Sequence, residues 1–366
     1  MTDVSLHQHQ FLRDASSSYF ADLKKRHFHS RKAAFWTLLF VGVMLFAGIR
    51  FLDWAVVSAH WRAGTPDDCA ASNGACWAFI WEKWTVILLG AFPRDELWRP
   101  LAGVGLVVAA LVYLGWRRWP GQQTVIFISL AFLSLFFLLD GRPLGLEKVD
   151  MVRWHGIAVV TFLGVFSLFA GLPLGILLAL ARVDGPPAVS WIVTGYIEII
   201  RAVPLVTVLF FGVFVLPLLL PPSMKYEPLL ITLMALVLFH AAYFAEDIRG
   251  GLQAVPKGQT EAGESLGIGY VTRMRRIILP QALSFSIPSM TNTIIGGFKD
   301  TSLVAIVGIF DLLATTRMAY SDPEWQRYAL EGLLFIGALY LVICFVISRH
   351  SRAMESHVAG WLNIRK

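Results

Sequence analysis

The sequence predicts an all-α membrane protein with about eight transmembrane helices, and three observations carry that prediction. The chain of 366 residues is 56% hydrophobic and only 15% charged, with a mean hydropathy of +0.63. That much apolar surface cannot be hidden in one aqueous core. The apolar residues fall into runs near the roughly 20 residues needed to cross a bilayer. The basic residues gather at the ends of those runs, so topology rather than nucleic-acid binding explains the net charge of +6.

The runs lie near residues 33–49, 101–116, 125–139, 156–181, 190–219, 229–248, 285–309 and 332–347. The second and third are close to the short limit. The fifth and seventh are interrupted by Pro204, Pro217, Pro288 and the Gly296-Gly297 pair, and interrupted helices at membrane depth suit backbone that lines a path. With eight spans, Lys24, Lys25, Arg26, Arg31, Lys32, Arg117, Arg118, Arg182, Arg249, Lys257, Arg273, Arg275, Arg276, Arg349 and Arg352 fall on one side. The excess of Lys and Arg makes that side cytoplasmic, with both termini inside. Asp67, Asp68, Asp95, Glu96, Asp140, Glu147 and Asp150 fall outside.

The first run is expected to be a retained anchor. A polar, basic stretch precedes it, and Arg50-Phe51-Leu52-Asp53-Trp54 follows it without a small-residue cleavage pattern. The outer loop from Trp54 to Trp98 is rich in tryptophan and holds Cys69 and Cys76, separated by a segment with a Ser72-Asn73-Gly74 turn signal. Two states fit there: a disulfide in an oxidising compartment, or two thiols in an interfacial loop. The aromatic run from Cys76 to Trp84 suits a short helix in the headgroup region. Cys344, inside the last span, reads as packing.

Between the sixth and seventh runs lies a polar insert. Pro256 suits a helix start, Thr260 is a candidate N-cap, and Glu261, Ala262, Gly263, Glu264, Ser265 and Leu266 read as a short helix whose acids favour its positive end. Gly267 and Gly269 stop it.

A second polar group, Lys299-Asp300-Thr301-Ser302, sits at the end of an apolar stretch. Ionisable side chains near the membrane interior are costly unless they pair or face a polar cavity. Two roles fit: direct contact with a substrate, or a structural bridge that pins a broken helix. Asn292, on the same helix, divides similarly between lining a path and bonding a neighbouring helix. Glu198 and Arg201 are three apart, share a helix face and are expected to pair, as a gating or structural ion pair or in contact with substrate. His240 is a lone intramembrane histidine, to be read as a packing residue or a proton relay. There is no Gly-x-x-x-x-Gly-Lys-Ser/Thr phosphate loop, no metal-ligand spacing and no nucleophile elbow. No cofactor is expected in this chain, nor a catalytic role.

These motifs resemble the permease family of polar amino-acid ABC importers. Tyr196-Ile197-Glu198-Ile199-Ile200-Arg201-Ala202-Val203-Pro204 looks like that family's Glu, Arg and Pro signature. Glu261-Ala262-Gly263 through Gly267, closed by Leu279-Pro280-Gln281-Ala282, looks like its coupling loop. Pro288, Asn292 and Lys299-Asp300-Thr301-Ser302-Leu303 resemble its polar amino-acid branch. One departure is Gly263, where the family has a second Ala, and its backbone freedom softens a docking helix by up to about 1 kcal/mol.

The resemblance implies a type I importer core of five helices plus a cytoplasmic coupling helix, over residues 151–350. Three extra helices and the outer loop occupy 33–150, between cytoplasmic tails at 1–32 and 351–366. This long layout resembles the general L-amino-acid permeases that work as a pair of unlike subunits. It implies a related second permease, a dimer of ATPase subunits that hold ATP and Mg, a periplasmic binding protein, and a bacterial inner-membrane location among lipid. An ion-coupled secondary transporter is the alternative, in which Lys299, Asp300 and His240 would move ions; it predicts repeat halves, and none is evident.

Overall fold

The computed structural model describes residues 29–62, 65–71, 73–117, 122–221 and 226–361. Lys24, Lys25, Arg26, Ser72 and Arg118, on which parts of the topology and turn readings rest, lie outside the described residues, as do most of the N-terminal tail and the end of the C-terminal one. Among the described residues there is no strand; one isolated bridge joins His60 and Cys76. The chain divides into two compact units, Met1–Ala78 and Phe79–Lys366.

In the first unit, helix α1 (Arg31–Leu52) opens at Ser30, whose Oγ accepts the Ala33 N–H at 3.2 Å. No residue of α1 is buried, as suits an apolar helix whose solvent is lipid. A π-helical turn, Asp53–Val57, leads into a tightly closed loop. Ala75 N–H donates to Trp54 O at 2.8 Å, His60 N–H to Ala75 O at 2.8 Å, and the Trp77 indole to Ala55 O at 2.8 Å. Trp61 stacks on Trp77 with ring centroids 5.7 Å apart. Thr65 and Asp68 form a capping box that starts the short helix α2 (Pro66–Ala70). Its backbone and hydroxyl donors hold the Asp68 carboxyl below the usual range. Cys69 and Cys76 are joined in a disulfide, their Cα atoms 5.5 Å apart.

The second unit begins at Phe79, within α3 (Ala78–Leu89). Trp81 and Trp84 are exposed, but Phe79, Ile87 and Leu89 are fully buried. Phe79 packs on Trp325, Lys83 reaches Asp322 at 2.7 Å, and the Thr315 hydroxyl donates to Ile87 O at 2.6 Å. The aromatic segment is thus a helix, as its composition suggests, with one face bound to the protein and Trp81 and Trp84 on the other.

Helices α4 (Trp98–Arg117) and α5 (Gln122–Asp140) pack against each other, and α5 packs on α6 (Gly156–Asp184) through Phe132 against Phe162 and Phe166. Arg99 is fully buried at the start of α4. Its guanidinium donates to Leu138 O at 2.6 Å, Glu147 O at 3.0 Å and Leu139 O at 3.4 Å, so it satisfies the last carbonyls of α5, which no helical N–H can reach. The imidazole of His155, just ahead of α6, accepts the Ala91 N–H at 3.1 Å and donates from Nε2 to Val152 O at 2.8 Å. Burial pushes its pKa down, in keeping with that neutral form. Residues 79–155 are therefore welded to the rest of the second unit. The His155 and Phe132–Phe162 contacts cross the boundary expected near residue 150.

The centre of this unit is the contact between α6 and α9 (Pro228–Ala254). Without a strong hydrophobic drive inside lipid, helices associate by close backbone approach over small residues. Gly171 faces His240 Cβ and Ala241, and a Cβ on Gly175 would come within 2.6 Å of Phe244 Cβ.

Among the described residues five helices are long and apolar enough to cross a membrane: α1 with its π turn, α4 with the turn before it, α6, α9 and α14 (Ala329–Trp361). Two bent pairs raise the number to seven, and the segment of α5 over Val125–Asp140 is a shorter apolar helix. The fifth apolar run is not one span-length helix. It divides into α7 (Pro187–Ala202) and α8 (Leu205–Leu219), bent by 106°. Val203 is extended and Pro204 lacks the N–H a continuous helix would need. The seventh run falls in helix α12 (Leu279–Asp300) and a 3-10 segment (Thr301–Val307), and α13 (Leu312–Tyr320) follows at 54°.

Candidate functional site

Three constellations lie in the second unit. The first is the polar insert. It forms α10 (Lys257–Ser265), begun by Pro256 rather than capped by Thr260, which lies inside the helix. Its end is closed by two reverse hydrogen bonds, Gly267 N–H to Glu264 O at 2.9 Å and Ile268 N–H to Gly263 O at 3.0 Å, with Gly267 at φ +69°. This is a Schellman closure, which satisfies carbonyls that would otherwise be left unpaired and needs a residue free to adopt the left-handed conformation. Gly269 then caps α11 (Tyr270–Arg273), which runs through a π turn into α12.

Arg273 folds back over α10 and meets Glu264 at 3.0 Å. Gly263 is buried beneath it; a Cβ there would come within 2.7 Å of Arg273 Cδ. The glycine that departs from the expected Ala thus clears a seat for the side chain that braces the helix, so its effect on stiffness is offset locally. The tip of this block presents Leu266, 78% exposed, and Val271, 74% exposed. Apolar side chains held out on a rigid polar helix are suited to docking.

The second constellation ties three helices together. Arg182 of α6 reaches Glu198 of α7 at 2.8 Å and Glu246 of α9 at 3.1 Å. Glu246 also holds Arg249 at 2.6 Å and Arg201 at 3.6 Å. Glu198 and Arg201 share a helix face as expected, but no direct ion pair joins them among the described residues. Each is instead drawn to a partner from another helix. The Arg201 guanidinium lies over the Tyr243 ring at 5.7 Å.

The third constellation surrounds the end of α12. Asp300 turns inward to His240 of α9, with 3.9 Å between Oδ2 and Nε2. His240 is 2% exposed, and its Nδ1 lies 3.1 Å from Ser167 Oγ. The Ser167 hydroxyl also donates to Gly164 O at 3.3 Å. His240 Nε2 faces the partly exposed Asp300 carboxylate and has no hydrogen-bond partner among the described residues. A carboxylate placed beside a histidine among membrane helices suits contact with a cationic donor. Gly297 keeps the space open: a Cβ there would come within 2.7 Å of Nε2.

Thr301 is buried and donates to Phe298 O at 2.7 Å, and Ser302 lies 3.1 Å from the Tyr340 hydroxyl. Lys299 and Asn292 are exposed on other faces of α12. The polar group expected to act as one is therefore divided: Asp300 and Thr301 inward, Lys299 outward. Deeper along α12, Thr293 donates to Asp247 at 2.7 Å.

Sequence reasoning missed Arg182, Glu246 and Ser167 as partners. Glu246 and Arg249 are an i, i+3 pair visible in the sequence, but contacts between helices leave no local signal. His240, read as lacking an ionisable neighbour, has one in Asp300. Among the described residues no group of three or more His, Cys, Asp or Glu is arranged to hold a metal ion.

Residues 171–360 match the family described as "Binding-protein-dependent transport system inner membrane component". The match covers the C-terminal half of α6, all of α9, the polar insert, and His240 with Asp300. The chain belongs to this family of transport permeases. The permease is 39% identical over 306 residues to the Escherichia coli "Inner membrane amino-acid ABC transporter permease protein YhdY", with 83% of each chain covered. It is 33% identical to the Rhodobacter capsulatus "Glutamate/glutamine/aspartate/asparagine transport system permease protein BztC", covering 81% of this chain and 83% of that one. Both likenesses extend beyond the core into the extra N-terminal helices. A solved structure, "Crystal structure of an amino acid ABC transporter with histidines", is 28% identical and covers 55% of the permease and 91% of that chain, with a TM-score of 0.49. The permease is thus a multi-pass inner-membrane protein.

Proposed function

We propose that this permease is the membrane subunit of an ATP-driven importer of L-amino acids, and that α10 is the lever that docks on the ATPase. The observation that carries the reading is the lever itself: a short polar helix closed by Gly267, braced by Arg273, with Leu266 and Val271 exposed at its tip. The names of relatives similar over four-fifths of the chain supply the substrate class and the energy source. A periplasmic binding protein delivers the amino acid to the outer mouth. ATP and Mg belong to the ATPase dimer. Closure of that dimer pushes the lever, and the paired permeases exchange inward for outward access.

Both termini and α10 then lie in the cytoplasm, and the disulfide loop lies outside. The Arg182–Glu198–Glu246–Arg201 network sits at the cytoplasmic end of α6, α7 and α9, where it serves as a gate tie. Asp300, with His240 behind it and Thr301 and Ser302 beside it, lines the path and receives the substrate's ammonium. Lys299 and Asn292, on outward faces of α12, line it where the second permease completes the channel.

The partner permease is a related but unlike chain. Purification of tagged full-length permease from its native membranes should yield a second, different permease together with the ATPase. A preparation that contains the ATPase but only copies of this chain would contradict the unlike pair.

A further inference from the structure

The lever is covalently continuous with α9, through Pro256, and with α12, through the π turn. It has no chain connection to α6, yet α6 carries the arginine that holds the gate tie together. Among the described residues one side-chain hydrogen bond links the two: the Tyr270 hydroxyl donates to Asp184 Oδ2 at 2.8 Å. Tyr270 is the first residue of α11, just past the Schellman turn, in the block braced by Arg273. Asp184 is the last residue of α6, two positions beyond Arg182. The same end of α6 is fastened to α7 by Ser190 Oγ, which donates to Arg182 O at 2.8 Å. A hydroxyl bonded to a carboxylate is short, directional and stronger than a neutral pair. Here it joins two rigid helical ends. Both side chains are exposed, so the bond adds little to folding. Its position suits the transmission of a displacement.

We propose that Tyr270 and Asp184 form a strut that carries movement of the lever into α6, and through Arg182 to Glu198 and Glu246, so that ATP hydrolysis is coupled to opening of the gate tie. Tyr270 and Asp184 are positioning residues; neither touches substrate. The inference rests on the reading of α10 as the lever.

The test uses the whole complex, purified through a tag on this chain and reconstituted in vesicles, with amino-acid uptake and ATP hydrolysis measured together. Tyr270→Phe removes the hydroxyl and keeps the ring. It should leave ATPase association and basal hydrolysis near wild type and lower the amino acid carried per ATP roughly threefold or more. Asp184→Ala should do the same, and the double variant should be no worse than either alone, since one bond is lost in all three. Asp184→Asn keeps an oxygen acceptor and should retain more coupling than Asp184→Ala. An unchanged ratio in Tyr270→Phe, or losses that add in the double variant, would overturn the strut. Gly267→Glu in the same assay separates the two readings. If it abolishes ATPase association while Tyr270→Phe stays fully coupled, only the strut fails. If it leaves association normal, the lever fails and the strut with it.

Discussion

Gly267→Glu should abolish association of the permease with its ATPase and bring uptake to background, while membrane insertion and the amount of protein stay at wild-type levels. Gly267 stands at φ +69°, where a residue with a Cβ pays about 1–2 kcal/mol and where the Schellman hydrogen bonds depend on the left-handed turn. A glutamate would also place a charged side chain beside the exposed Leu266. Gly267→Asn is the discriminating control. Asparagine tolerates the left-handed conformation, so it should keep most of the association. Co-purification of the ATPase with each variant reads the result, and equal recovery with Gly267→Glu would sink the lever assignment.

Asp300→Ala should reduce uptake on the order of tenfold or more, with assembly little changed, because it removes the carboxylate proposed to receive the substrate's ammonium. The bland explanation, a structural bond to His240, is separated by Asp300→Asn. The asparagine amide can either donate to or accept from His240 Nε2 and so satisfies the structural role, but it offers no charge to an ammonium. Asn at this position should therefore assemble well and transport poorly. Full uptake with asparagine would move Asp300 to a structural role.

The membrane-spanning helices were legible because lipid leaves the backbone one solution, and that solution writes itself as long apolar runs. Helix α10 is legible for a related reason. Its start at Pro256 and stop at Gly267 are local events, governed by the missing proline N–H and by a left-handed turn. What could not be read was which side chains meet across helices. Glu198 and Arg201 were expected to pair because helical spacing brings them near each other, yet Arg182 and Glu246 compete for them from neighbouring helices. Lys299 and Asp300 are adjacent in sequence, but 100° of helical rotation sends one outward and the other toward His240. Pro204 marks the break in the fifth run but not its 106° angle. Gly263, a source of softness in α10 by sequence alone, leaves the space that Arg273 occupies.

The most direct test of the central claim is labelled amino-acid uptake into vesicles that hold the whole complex, with ATP inside and ion gradients collapsed, set against an imposed ion gradient without ATP. The binding protein is added outside in each case. Uptake that requires both internal ATP and the binding protein, and that persists without any gradient, is the expected result. Uptake driven by the gradient alone, indifferent to ATP, would contradict it and return His240 and Asp300 to the role of an ion-coupling pair.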